Sequence, residues 1–298
     1  MELRVLRYFL AVAREQSVSR AAAVLNLTQP TLSTQLRALE EELGCTLFVR
    51  GSRKITLTEE GMVLRKRAQE ILDLVTKTGK ELSAGSDVPA GEICIAAGEG
   101  GLMRLFARAA GALRSQNSAI RFNLSSGNSS YVLEMLDKGL ADFGLLFDAV
   151  DTLKYETLSL PSRQRWGVLV KSSSPLARKE AVTAEDLRHL PLIVSRQETA
   201  RHKLEKWFGA SFDELDIAAS YNLVLNAGFF SMEGIGCTLL FEGLIDTDSN
   251  PGLAFRPLEP ELCSEAVLVW KKYQVMSRVS QRFLTCLRQV FESVRRES

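Results

Sequence analysis

Hydrophobic positions near the N-terminus recur at helical spacing and then change period. Leu3, Leu6, Phe9, Leu10 and Ala13 put one apolar face on a helix over residues 2–14. Ser17 and Ser19 offer capping oxygens to a short second helix through Ala21, Ala22, Ala23, Val24 and Leu25. Its adjacent alanines let a neighbouring helix approach closely, as a helix-turn-helix requires. A third helix follows a tight polar turn, with Thr28 as N-cap and Pro30 in the first turn, where a missing N–H does no harm. Leu32, Leu36, Leu39 and Leu43 form its apolar stripe, and Gly44 stops it by adopting the left-handed conformation. Gln29, Ser33 and Arg37 repeat every four residues on another side, with Thr31 and Gln35 nearby. Residues 46–50 and 54–57 then read as short strands around Gly51-Ser52-Arg53, a hairpin whose tip gathers Arg50, Arg53 and Lys54.

Thr58 caps a long helix whose positive end is complemented by Glu59 and Glu60. Leu64, Ala68, Ile71, Val75 and Leu82 line one side of it through about residue 83. Roughly 25 residues extend nearly 40 Å, farther than a small domain can cover, which points to a symmetry-related helix as partner. Packing onto the C-terminal half is the alternative. Residues 84–91, Ala-Gly-Ser-Asp-Val-Pro-Ala-Gly, break the pattern as a hinge. Strand signals at 93–97, 120–124 and 143–147 then alternate with helix-like segments near 102–114 and 129–138, predicting an α/β sheet of parallel strands. Pro161-Ser162 begins a crossover into a second lobe with strand candidates at 166–170 and 192–194. Residues 267–270 return to the first lobe before the last helix.

Composition changes this picture little. The chain has 298 residues, 46% hydrophobic and 24% charged, which fits a soluble globular protein of two or three units. Net charge is only +1, but residues 1–58 carry eight Lys or Arg against five Asp or Glu, or +3, leaving −2 on the remainder. Charged Glu2, Arg4, Arg7, Arg14 and Glu15 exclude a signal peptide, and no apolar run approaches the roughly 18 residues of a membrane span. A cytoplasmic protein with no membrane partner is expected. The five cysteines are scattered without CxxC spacing, so neither zinc nor a disulfide framework is expected, and no other metal or cofactor is indicated. His189 and His202 accompany no nucleophile or metal motif, so no catalytic residue is assigned and the chain is not read as an enzyme. The third helix carries amides, hydroxyls and a guanidinium opposite its buried face, which suits the DNA major groove. The basic hairpin suits phosphates or a minor groove.

The run from Leu3 through Gly61 resembles the LysR-type transcriptional regulators. The resemblance rests on Phe9, Ser17-Val18-Ser19-Arg20-Ala21-Ala22, Leu27-Thr28-Gln29-Pro30-Thr31-Leu32-Ser33, Leu39-Glu40, Leu43-Gly44, Leu47-Phe48, Arg50 and Leu57-Thr58-Glu59-Glu60-Gly61. It implies a winged helix-turn-helix over 1–58, a linker and dimerisation helix with hinge over 59–89, and a regulatory domain over 90–298. That domain would have two α/β lobes, about 90–161 with 265–298 and about 162–264, similar in fold to periplasmic solute-binding proteins. Gln29, Pro30, Thr31, Ser33 and Arg37 would lie at the groove, with Arg50 and Arg53 in the wing. The resemblance further implies a homodimer, assembling to a tetramer, on a pseudo-palindromic double-stranded site, with RNA polymerase as a partner at target promoters.

Ligands of such folds sit at the carboxyl ends of strands, between the lobes. Glu99 and Gly100 after the first strand, Ser126-Gly127-Asn128 after the second, and Ser195-Arg196-Gln197 in the second lobe are therefore the candidate contacts for a small polar metabolite. Relatives often carry Ser or Thr just after the first strand, serving an anionic effector, where this chain has Gly98-Glu99-Gly100-Gly101. An inward Glu99 would favour an amine or pair with Arg196; an outward one would face water. Phe241 replaces a proline common after a later strand, which leaves the second lobe's geometry open. A solute-binding transport component is the rival for the C-terminal half, but it leaves the helix-turn-helix unexplained.

Overall fold

The computed structural model describes residues 1–51, 54–83, 91–147, 150–209 and 211–297. Contacts divide the chain into two units, Met1–Ser83 and Ala84–Ser298. The first comprises α1 (Leu3–Glu15), α2 (Val18–Val24), α3 (Gln29–Leu43), the antiparallel pair β1 (Phe48–Arg50) and β2 (Ile55–Leu57), and α4 (Glu59–Ser83). Three hydroxyls start three of its helices. Ser17 accepts from the Arg20 N–H, Thr28 from that of Thr31 and Thr58 from that of Gly61, satisfying amides with no partner inside the helix. Gly44 ends α3 at φ +65°. A Cβ on Gly61 would lie 2.2 Å from the Leu47 carbonyl oxygen, so only glycine lets α4 start this close to the hairpin.

Leu6, Phe9 and Val12 of α1, Ala21 and Ala22 of α2, and Leu32, Leu36 and Leu39 of α3 share one core. Leu43, expected in that stripe, is 40% exposed on the last turn of α3. The stripe expected along α4 also divides. Leu64 and Ala68 are buried in the unit's own core, with Ile71 packed against it, because α4 lies along α1. Val75 of that stripe is exposed, together with Met62, Val63 and Leu74 among the described residues of α4. The Leu82 side chain and hinge residues 84–90 lie outside the described residues.

The second unit runs β3 (Gly91–Ala97), α5 (Met103–Gln116), β4 (Ile120–Ser126), α6 (Ser129–Asp137), β5 (Phe143–Leu146) and β6 (Tyr155–Lys171). It continues through β7 (Val182–Thr183), α7 (Ala184–Leu187), β8 (Leu192–Ser195), α8 (Glu198–Phe208), β9 (Ile217–Tyr221) and α9 (Leu225–Met232). It closes with β10 (Cys237–Phe241), β11 (Leu253–Glu259), β12 (Cys263–Lys271) and α10 (Arg278–Glu297). The sheet order is β4-β3-β5-β12-β6-β10-β8-β9, with β11 against β6 and β7.

Strands β3, β4 and β5 are mutually parallel, as are β8, β9 and β10, but β6 and β12 run antiparallel to their neighbours. The sheet is thus mixed rather than wholly parallel. Nor does the chain break at Pro161-Ser162: β6 is one strand of 17 residues through both lobes. Proline is accommodated because the register against β12 shifts between Glu265↔Arg163 and Val267↔Ser159, leaving Pro161 where no ladder bond is needed. One lobe is centred on Ile93, Phe106, Phe143, Leu268 and Phe283, the other on Val168, Leu192, Leu204 and Leu239.

Candidate functional site

Two places gather polar groups that the fold does not need for itself. The first is the outer face of α3. Gln29, Pro30, Thr31 and Arg37 are exposed and Ser33 is half-buried, while Leu32, Leu36 and Leu39 anchor the opposite face. Gln29 Oε1 accepts from Ser19 Oγ at 3.0 Å, tying the start of α3 to α2 and leaving the amide NH₂ uninvolved in that bond. Thr31 Oγ1 and Thr28 Oγ1 share a hydrogen bond of 2.7 Å. Glu40 has a role beyond its place in the motif. Its Oε1 accepts from the N–H groups of Leu47 (2.7 Å) and Phe48 (3.3 Å), fastening the hairpin's first strand to α3. The Arg50 side chain and the whole of Arg53 lie outside the described residues.

The second place is a cleft within the second unit, with about 550 Å³ of empty space, its open mouth included. Gly98, Glu99, Gly127 and Phe147 line one side; Trp166, Ser195, Gln197, Lys203, Tyr221, Val224, Phe241 and Ser264 line much of the rest. Two hydrogen bonds cross it. Glu99 Oε2 accepts from the Val224 N–H at 3.0 Å, which sets a carboxylate against the positive end of α9. Ser129 Oγ donates to Gln197 Oε1 at 3.2 Å. Phe241 stands between Phe147 and Trp166, with ring centroids 4.9 and 4.5 Å away, and forms an apolar wall. Burial, with a smaller contribution from the Glu99 charge, raises the pKa of Tyr221, whose hydroxyl donates to the Leu239 carbonyl at 2.7 Å.

Of the loop residues picked out by sequence, Glu99, Gly127, Ser195 and Gln197 converge on this cleft. Gly100 and Ser126 line an adjoining hollow with Leu124 and Leu225. Asn128 instead caps α6, accepting from the Tyr131 N–H at 2.9 Å. Arg196 does not reach Glu99; its Nε donates to Ser220 Oγ at 3.2 Å. Successive side chains leaving a strand point to opposite faces, so placing Ser195 and Gln197 inward turns Arg196 outward. Sequence reasoning missed Lys203, Trp166, Tyr221 and Ser264. Lys203 had a usable signal, six residues beyond Gln197 on a helix that begins at the cleft. The lone Ser264 had none.

Burial pushes the Cys237 thiol up to about 11 and raises those of Cys263 and Cys286, the reverse of a reactive thiol. Among the described residues no helix is long and apolar enough to cross a membrane.

Two domain families match this chain: the bacterial regulatory helix-turn-helix protein, lysR family, over residues 3–62, and the LysR substrate binding domain over 86–292. The chain belongs to the LysR family. It is therefore a DNA-binding transcriptional regulator with a C-terminal effector-binding domain. This LysR-family chain is 27% identical over 284 residues to the uncharacterized HTH-type transcriptional regulator YybE of Bacillus subtilis (strain 168), covering 95% of this chain and 97% of that one. It is 27% identical over 287 residues to the Hca operon transcriptional activator HcaR of Escherichia coli (strain K12), covering 91% and 92%. The crystal structure of full-length CbnR complexed with its target DNA shares the fold with a TM-score of 0.76 at 22% identity, over 97% of this chain and 100% of that one.

Proposed function

We propose that this regulator reads double-stranded DNA with the exposed face of α3 and responds to a small polar metabolite held in the cleft of its second unit. The carrying observation is the two-sidedness of α3. Its leucines are buried, while Gln29, Pro30, Thr31, Ser33 and Arg37 face outward or sit half-buried beside them. Such a helix offers base edges an amide and a guanidinium at fixed spacing. Arg50 and Arg53 supply phosphate contacts from the wing. CbnR, a protein of the same fold, has been crystallised with its target DNA, which favours DNA as the partner here as well.

The functional divisions are a DNA-binding domain over 1–58, a linker helix and hinge over 59–89, and an effector domain over 90–298. The exposed apolar residues of α4 support a homodimer, with a tetramer as the larger assembly, on a pseudo-palindromic site. The protein works in the cytoplasm beside RNA polymerase, and its activity is binding rather than catalysis. Within the cleft, Glu99, Gly127, Ser195 and Gln197 are the contacts retained from the loops. The ligand acts by favouring one arrangement of the lobes over another.

The test is the salt dependence of DNA binding by the full chain. Arg50→Ala and Arg53→Ala each lower affinity across unrelated sequences and flatten the slope of log affinity against log salt by about one. Unchanged slopes in both variants remove the hairpin from the DNA contact surface.

A further inference from the structure

The polar wall of the cleft holds a hydrogen-bond arrangement that the protein does not complete. Ser264 is 2% exposed, and its Oγ accepts from Trp166 Nε1 at 3.1 Å and from Lys203 Nζ at 2.7 Å. An indole N–H and an ammonium only donate, so both lone pairs of the hydroxyl are taken and its own proton must point elsewhere. No described residue accepts that proton. Lys203 keeps two further N–H groups and forms no ion pair with a described residue.

Across the cleft, Glu99 uses one carboxylate oxygen on the Val224 N–H, and no cation among the described residues matches its charge. The same cleft is thus lined by an acid and a base that form no ion pair with each other or with other described residues. Half-buried charges are costly unless matched, and a ligand carrying both complements relieves the two walls together.

We propose that the effector is a small zwitterion of the α-amino acid type, its carboxylate on Lys203 and the Ser264 hydroxyl and its ammonium on Glu99. The assignment rests on the reading of the cleft as the effector site. A dicarboxylate meets repulsion from Glu99. A simple amine leaves the Lys203 charge unmatched and the Ser264 hydroxyl proton without an acceptor. The Phe147–Phe241–Trp166 wall adds a preference for an apolar side chain.

Calorimetry and thermal unfolding of the full-length protein with the standard L-amino acids test this, each hit being repeated with its des-amino acid and its decarboxylated amine. The expected result is an amino acid that binds and raises the melting midpoint, with both truncated analogues weaker by about tenfold or more. Glu99→Gln and Lys203→Gln weaken the hit by about tenfold, and Ser264→Ala weakens it less. Lys203→Gln keeps most of the side chain's length, and ligand-free melting of each variant verifies that it folds. A silent amino acid panel overturns the assignment. So does a des-amino acid that binds as well as the parent, or a Glu99→Gln variant with undiminished affinity. If Phe241→Ala still weakens the ligand in that case, the cleft survives as the effector site and only the zwitterion falls. A ligand indifferent to substitution at Glu99, Lys203 and Phe241 binds elsewhere and overturns both readings.

Discussion

The two candidate sites are built on opposite plans. The proposed groove-reading face takes its residues from one helix, α3, held by hydroxyl caps and a core completed within the first unit. The cleft draws its lining from Gly98 through Ser264, so that Glu99 meets an amide 125 positions away. In the first, side chains can change while the backbone that presents them stays put. In the second, the contacts that form the pocket also hold the lobes together, so recognition and conformation are coupled by construction.

That contrast is broken or sharpened by substitutions graded by their expected effect on stability. Leu32→Ala has the largest, because the side chain is fully buried under the groove-facing residues. A loss of about 2–5 kcal/mol is expected in denaturant titration, with DNA affinity falling as the helix loses its seat. Glu40→Ala follows at about 2–3 kcal/mol, since the Leu47 and Phe48 amides lose a shared acceptor. Glu40→Gln retains a carbonyl oxygen and should recover much of that loss, which thermal melting of both variants reads directly.

Phe241→Ala is expected to cost about 1–2 kcal/mol by removing two aromatic contacts, and to weaken effector binding in the same protein. Full effector affinity in a destabilised Phe241→Ala would uncouple pocket from lobe packing and end the contrast. Gln29→Ala sits at the other extreme. Stability should move by under about 0.5 kcal/mol, as for surface changes generally. Discrimination at one or two base pairs should nevertheless fall by about 1–3 kcal/mol. Affinities for every single-base variant of a half-site measure this, and a uniform loss at all positions contradicts direct readout.

The same contrast explains what could be read from the chain before its structure. Thr28, Pro30, Leu32, Leu36, Leu39 and Gly44 are local signals whose physics operates within one helix, and each lies where its spacing put it. The stripe on α4 was legible only as a face, because periodicity does not show what covers it: Leu64 and Ala68 lie in the first unit's own core. Strand ends identified the cleft's loops, yet Arg196 was included with its neighbours because a loop sequence does not show which side chains alternate inward. The pairing of Lys203 with Ser264 was out of reach for a stronger reason. Their partnership spans 61 positions and exists only once α8 and β12 are packed together.

The uninterrupted course of β6 gives the effector domain a particular mechanics. Where lobes are joined by a continuous pleated strand, any change of angle between them has to be absorbed by bending or twisting within that strand. The slipped register between Glu265 and Val267, opposite Pro161, is its compliant section. A ligand that drew the lobes together would have to deform this strand, and the residues on either side of Pro161, least held by the ladder, would yield first.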